Sequence, residues 1–251
     1  MVLQKAEDFA YSKAQRVICA LPKAKSYMVE RGMRPEKFIY LPNGVDPDEW
    51  SSDQCRLPEE HESVLAKLRS EGQFLIGYAG AHSPVMDLHT LVEAASLLKD
   101  EPVSFVLVGH GPEKGRLEAQ AGTEAESKVI FLPSVDKACV PRLLRSMDAL
   151  YIGLKRSSLF KFGVSPNKLL DYMMAAKPVI HAIEAGNDIV AESGCGISIV
   201  PESPQELAKA VRRLMMLDPA ERDRLGTLGQ KYVLAMHDYK VLARRFLAEL
   251  D

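Results

Sequence analysis

The sequence predicts an α/β protein with an open, doubly wound parallel sheet and a small α/β piece at its N-terminus. Three observations carry this. Short apolar runs alternate with amphipathic helical segments, as in successive βαβ units. Several of the runs are apolar without alternation, as expected of parallel strands buried on both faces. The chain has 251 residues and a hydrophobic fraction of 47%, enough for one large domain or two unequal ones.

The strands are expected at RVICAL (16–21), FIYLPN (38–43), FLIGYAG (74–80), VSFVLVG (103–109), VIFLP (129–133), ALYIGL (149–154), PVIHAI (178–183) and ISIV (197–200). Helices are expected at 87–99, 113–121, 139–147, 166–176 and 187–193, and the C-terminal third continues as helices over 204–217, 219–236 and 239–250. Residues 44–73 break the rhythm with Gly44, Pro47, the sole Trp50, Pro58 and Gly72, and read as a linker with one helix at 59–71. This divides the chain into a short piece (1–43), the linker (44–73), a nearly complete α/β domain (74–238) and a last helix (239–251) that packs back on the N-terminal part. The first piece is too small to bury a core alone.

The formal net charge of −2 excludes a global attraction to nucleic acid, so any anion site must be local. Cys19, Cys55, Cys139 and Cys195 form no CxxC pair. They predict neither a zinc site nor a disulfide framework, and fit a reducing, cytoplasmic setting. No apolar run approaches the roughly 20 residues of a membrane span.

Residues 163–173, GVSPNKLLDYM, hold the strongest chemical signal. Ser165 is placed to cap a helix that opens at Pro166. From Tyr151 to Leu170 the chain carries Lys155, Arg156, Lys161 and Lys168 and no acid. A positive helix end with mobile cations suits a phosphate. Asp171 follows about 9 Å further along the helix, the reach from a diphosphate to a ribose, and a carboxylate accepts from vicinal hydroxyls. The same residues also read as a capped helix with a Lys168–Asp171 surface ion pair. Two glycine turns at strand ends, GYAGAHSP (77–84) and GHGPEKG (109–115), are further candidates. Gly80 allows close backbone approach, and His82 is a candidate donor to a phosphate or sugar oxygen, or an exposed turn residue. Cys195 reads as a buried structural thiol. The chain has no GxSxG, HExxH, Walker A or kinase motifs.

In their order, FIYLPNGVD (38–46), FLIGYAGAH, VSFVLVGHGPEKGRLE, VIFLPSVD and SPNKLLDYMMAAKPVI (165–180) resemble the retaining group 1 (family 4) glycosyltransferases of the GT-B architecture. The SPNKL-D-YM wording is similar to members that use N-acetylated deoxy-sugar donors. The resemblance implies a Rossmann-like C-terminal half of a GT-B enzyme, with residues 1–43 as the remnant of an acceptor-side domain. It implies transfer of a sugar from a nucleotide-diphosphate sugar to a glycan or lipid-linked acceptor, in surface polysaccharide assembly. No cofactor, no metal and no nucleic acid are expected. The full-length enzyme would be cytoplasmic, with peripheral association at the inner membrane face.

Carried residue by residue, the resemblance places the donor ribose on Asp171 and the diphosphate or sugar on the Val164 and Ser165 amides. The base would lie against Phe131, Leu132 and Pro133. Three departures stand out. Gly163 occupies the place of a second acid. Ala81 and Met86 occupy the places of an Arg and a Lys, which leaves Lys155, Arg156, Lys161 or Lys168 to hold the diphosphate. Most of the acceptor-side domain is absent, which leaves a non-catalytic nucleotide-sugar-binding module as an alternative. A sugar-nucleotide epimerase on the same architecture is another.

Overall fold

The structure, a computed structural model, describes residues 2–51, 55–122 and 127–249. In chain order the elements are α1 (Val2–Lys13), β1 (Val17–Cys19), α2 (Lys25–Glu30), β2 (Phe38–Tyr40), α3 (Glu59–Ser70), β3 (Phe74–Ala79), α4 (Leu88–Ser96), β4 (Val103–Val108), α5 (Lys114–Ala121), β5 (Val129–Leu132) and α6 (Val140–Arg145). They continue with β6 (Ala149–Gly153), α7 (Asn167–Met174), β7 (Val179–Ala182), α8 (Ile189–Ser193), β8 (Gly196–Ser198), α9 (Pro204–Met216), α10 (Pro219–Met236) and α11 (Tyr239–Ala248). Each expected strand forms at its apolar run.

Six strands make one parallel sheet in the order β5-β4-β3-β6-β7-β8. The order reverses direction between β3 and β6. There the ladder covers only Ile76↔Ala149 and Gly77↔Leu150, whereas β3 and β4 pair along six residues. Below this point the Asp148 carboxylate accepts from the Leu75 N–H at 2.7 Å and from Arg69 at 2.6 Å.

Strands β4, β6 and β7 are buried throughout, which explains why their apolar residues do not alternate with exposed polar ones; the polar exceptions, Ser104 and His181, are buried too. Successive residues of β3 serve opposite faces. Leu75 joins a core with Leu65, Leu144, Leu169, Met173 and Val233, from α3, α6, α7 and α10. Ile76 joins the other core with Leu91, Leu117 and Val211, from α4, α5 and α9.

The N-terminal unit is a separate parallel pair, β1 with β2, over a small cluster of Ala24, Met28 and Met33. Its exit passes through Val45, which bridges Asp238 just before α11. The far end of α11 returns to the N-terminal unit, where Arg16 donates to the Glu249 carbonyl at 3.2 Å.

Residues 59–70, expected within a linker, are a layer of the main domain. His61, Leu65 and Leu68 of α3 are buried, as are Trp50 and Leu57 before it. The cysteine expectation is also corrected. The structure joins Cys55 to Cys139, with Cα atoms 5.2 Å apart, and leaves Cys19 and Cys195 free. The partners are 84 residues apart in sequence, so no local spacing marks the pair.

Candidate functional site

A cleft of about 330 Å³ opens at the carboxyl ends of β3, β4 and β5, beside α7. It lies beside the point where the strand order reverses, at the carboxyl edge where ligands usually bind in an open α/β sheet. Gly80 and Ala81 line it from the turn after β3, Gly109 and His110 from the turn after β4, and Ser134 and Val135 from the turn after β5. Val140 and Leu144 of α6 form an apolar wall, and Lys168, Asp171 and Tyr172 of α7 form the opposite side.

The glycine turns allow the backbones to close up. Gly80 has φ +140°, and a Cβ there would collide with the Lys168 side chain. Lys168 thus lies directly over the first glycine turn. Its Nζ donates to the Tyr78 hydroxyl at 2.6 Å and sits 4.0 Å from the Tyr78 ring centroid. The Tyr78 hydroxyl in turn donates to the Ala81 carbonyl at 2.6 Å. Burial pulls the Lys168 ammonium down to about 8, with Asp171 acting in the opposite direction. Tyr172 fixes the same turn from α7, its hydroxyl accepting from the Ala79 N–H at 2.9 Å.

Asp171 lies one helical turn beyond Lys168. Burial pushes its carboxyl up to about 6, opposed by Lys137, reinforced by Glu49 and opposed again by Lys168. Asp171 also borders a second cleft, of about 410 Å³, lined by Glu49, Trp50, Lys137, Val140 and Pro141. Lys137 and Glu49 pair across its mouth at 2.8 Å. One carboxylate therefore serves the end of both spaces.

The start of α7 differs from expectation. Ser165 is not the cap: the helix opens at Asn167, Pro166 stands at the cap position with extended backbone, and no side chain caps the first turn. Ser165 Oγ instead accepts from the Asn43 N–H at 3.0 Å. The Val164 N–H is engaged by Asn187 Oδ1 at 2.7 Å, so that amide is not open to a ligand. Gly163 has φ +102°, and a Cβ there would lie 2.6 Å from Pro22 Cδ. The residue in the place of the second acid is thus a glycine by geometry.

The remaining expected residues divide. Lys161 is exposed, with Nζ 4.9 Å from its neighbour Phe162's ring centroid. Arg156 is held between Glu184 at 3.0 Å and Glu202 at 3.2 Å. Among the four cations named from sequence, Lys168 is the one that lines the cleft. His82 is neither exposed nor in the cleft lining. It is fully buried beneath the turns, with neither ring nitrogen hydrogen bonded. Burial lowers it to about 4, helped by Lys114, Lys168 and His110, so the ring is neutral. Phe131 lines a different groove, between α3 and α5, and the Pro133 carbonyl faces His61 Nε2 at 2.9 Å. Their place in the cleft is taken by Ser134 and Val135. Cys195 is buried, and burial raises its thiol to about 11, as a structural cysteine requires. Among the described residues, no group of three or more His, Cys, Asp or Glu is placed to hold a metal ion.

Known proteins show the family and the fold. The model of a family described as "Glycosyl transferases group 1" matches residues 73–216, the sheet and the helices around the cleft. The chain belongs to the group 1 glycosyl transferases. Its fold is that of the GT-B glycosyltransferases. The Anabaena protein HepE, solved with UDP and glucose, matches with a TM-score of 0.77 over 99% of this chain and 66% of that one, at 21% identity. WcaI of Escherichia coli K12, assigned by name to glycosyl transfer in colanic acid biosynthesis, is 25% identical over 231 residues, 88% of this chain and 53% of its own. An alpha-D-kanosaminyltransferase of Streptomyces kanamyceticus is 22% identical over 229 residues, 88% of this chain and 56% of its own. This group 1 glycosyl transferase chain therefore spans about half the length of the curated relatives it matches. No helix among its described residues is long and apolar enough to cross a membrane.

Sequence pattern alone did not point to Tyr78, Tyr172, Asn43 or Asn187. The two tyrosines sit in runs that read as core. Asn43 lies in the FIYLPNGVD segment, whose order carried the resemblance, but its partner Ser165 is 122 residues away.

Proposed function

We propose that this chain is the donor-binding part of a glycosyltransferase that moves a sugar from a nucleotide-diphosphate sugar to a glycan or lipid-linked acceptor. The observation that carries this is the pairing of Lys168, over the first glycine turn, with Asp171 one helical turn on, both lining one cleft beside the strand-order reversal. In this reading the diphosphate rests against Lys168 and the uncapped first turn of α7. The ribose hydroxyls donate to Asp171, and the base meets the apolar wall of Val135, Val140 and Leu144. As the bond to the sugar breaks, the diphosphate gains charge. A fixed ammonium and a helix N-terminus stabilise that charge without reorganising.

The names of WcaI and HepE's complex with UDP and glucose support a nucleotide-sugar donor and a role in surface polysaccharide assembly. Retention of configuration, an N-acetylated hexose and a cytoplasmic place beside the membrane belong to the same reading. So does independence from metal, with the chain's own cations holding the diphosphate.

A second reading, a nucleotide-sugar-binding module without transfer activity, is favoured by one observation. Gly163 stands where an acid would be, in a conformation that excludes a side chain. Calorimetric titration with UDP-, GDP- and dTDP-sugars tests the donor site. Saturable binding of one class is expected, and no heat from any of them at millimolar concentration would overturn it. Transfer to a lipid-diphosphate acceptor then separates enzyme from module.

A further inference from the structure

The segment 160–165, the end of a 3-10 turn (Ser158–Phe162) and the three residues after it, leads toward α7 and is fastened from two sides. On the side of the main domain, Asn187 closes a reciprocal pair with Val164. The Val164 N–H donates to Oδ1 at 2.7 Å, and Asn187 Nδ2 donates to the Val164 carbonyl at 3.0 Å. The Gly186 N–H also donates to the Phe160 carbonyl at 2.8 Å.

The other side comes from the N-terminal unit and its exit. The Asn43 N–H donates to Ser165 Oγ at 3.0 Å, and Asn43 Nδ2 donates to the Ser165 carbonyl at 2.5 Å. The Lys23 N–H donates to the Phe162 carbonyl at 2.9 Å, and the Tyr27 and Phe162 rings pack with centroids 5.5 Å apart. Asn43 is itself held, its carbonyl 2.8 Å from His237 Nδ1.

Two carboxamides from distant parts of the chain thus grip adjacent residues, Val164 and Ser165, immediately before the uncapped turn of α7. Left unfastened, the residues between the 3-10 turn and α7 would sample many orientations and lose that freedom on binding. Here their direction is set before any ligand arrives. Lys168 and the first-turn N–H groups inherit that direction.

We propose that Asn43 and Asn187 are positioning residues for the donor diphosphate, and that the N-terminal unit is therefore part of the donor site. This rests on the donor reading above. It predicts that loosening Asn43 damages recognition of the second phosphate specifically, because the ribose and base contacts lie further along α7 and on α6.

The test compares a nucleoside diphosphate with its monophosphate, using UDP and UMP, GDP and GMP, and dTDP and dTMP. Ligands are titrated into the whole chain and into its Asn43→Ala and Asn187→Ala variants. Diphosphate affinity should fall about tenfold in each variant, while monophosphate affinity changes by less than about twofold. Amide hydrogen exchange should speed up over 160–168 and stay unchanged in β4 and β7. If a variant does not fold, Ser165→Ala removes only the Oγ acceptor and should show the same discrimination in weaker form. Equal loss for both ligands, or no loss for either, overturns the positioning role and leaves the donor reading intact. A parent chain that binds none of the six nucleotides overturns both.

Discussion

Replacing Asp171 by Asn should weaken nucleotide-sugar binding and stabilise the fold in the same molecule. Burial holds the Asp171 carboxyl at about 6, against an ordinary value of 3.8. The folded state therefore binds this proton more tightly than the unfolded state does. The stabilising contribution is present below pH 3.8 and is lost as the pH rises through about 6. Above that point the ionised carboxylate costs at most about 3 kcal/mol, and partial exposure reduces the observable share to about 1–2 kcal/mol. An asparagine side chain keeps the shape and removes the charge, so Asp171→Asn should gain that amount at pH 7.5 and nothing near pH 4. Its loss as a hydroxyl acceptor should weaken nucleotide-sugar binding by more than about tenfold, or 1.4 kcal/mol. Urea unfolding of both proteins at pH 4.0, 5.5 and 7.5, with calorimetric titration at pH 7.5, measures the two effects. A stability difference that does not change with pH would refute the assigned burial. Unchanged affinity would remove Asp171 from the site.

Nucleotide-sugar affinity should follow a bell in pH, highest near 7, because Asp171 loses its charge below about 6 and Lys168 loses its charge above about 8. Titration across pH 5–9 measures it, and Lys168→Met should abolish the alkaline limb. Gly163→Glu, which restores an acid at that position, should lower stability by about 1–3 kcal/mol and raise no activity, since its backbone angle and Pro22 leave no place for the side chain. Thermal melts and a transfer assay read both outcomes. Tyr172→Phe should cost about 1–3 kcal/mol by leaving the Ala79 N–H without its partner, and should weaken binding by displacing the first glycine turn. Chemical denaturation paired with nucleotide titration checks this.

The fold was legible because its signal is local. The central strands of the parallel sheet are buried on both faces, so a run without alternation such as FVLV in β4 announces itself without knowledge of its neighbours. Asp171 and Lys168 were legible for a similar reason, being fixed on one helix at a known rise per residue. The errors occurred where a partner lies far along the chain. Ser165 has the chemistry of a cap, but Asn43 claims its hydroxyl. His82 reads as an exposed turn residue, but the turn folds over it and removes it from water. Phe131 and Pro133 read as cleft residues, but Phe131 lines the groove between α3 and α5, the Pro133 carbonyl meets His61, and Ser134 and Val135 line the cleft. Arg156 counted as a free cation until Glu184 and Glu202 came beside it.

The short ladder between β3 and β6 has a mechanical consequence. Two residue pairs join the halves of the sheet there, and the cleft opens beside this junction, over the ends of β3, β4 and β5. The junction is the thinnest seam of the sheet, reinforced below by Asp148. A molecule spanning from Gly80, after β3, to Asp171, on the helix between β6 and β7, would touch elements of both halves. It would act as a rivet, so that donor occupancy and the cohesion of the two half-sheets rise and fall together.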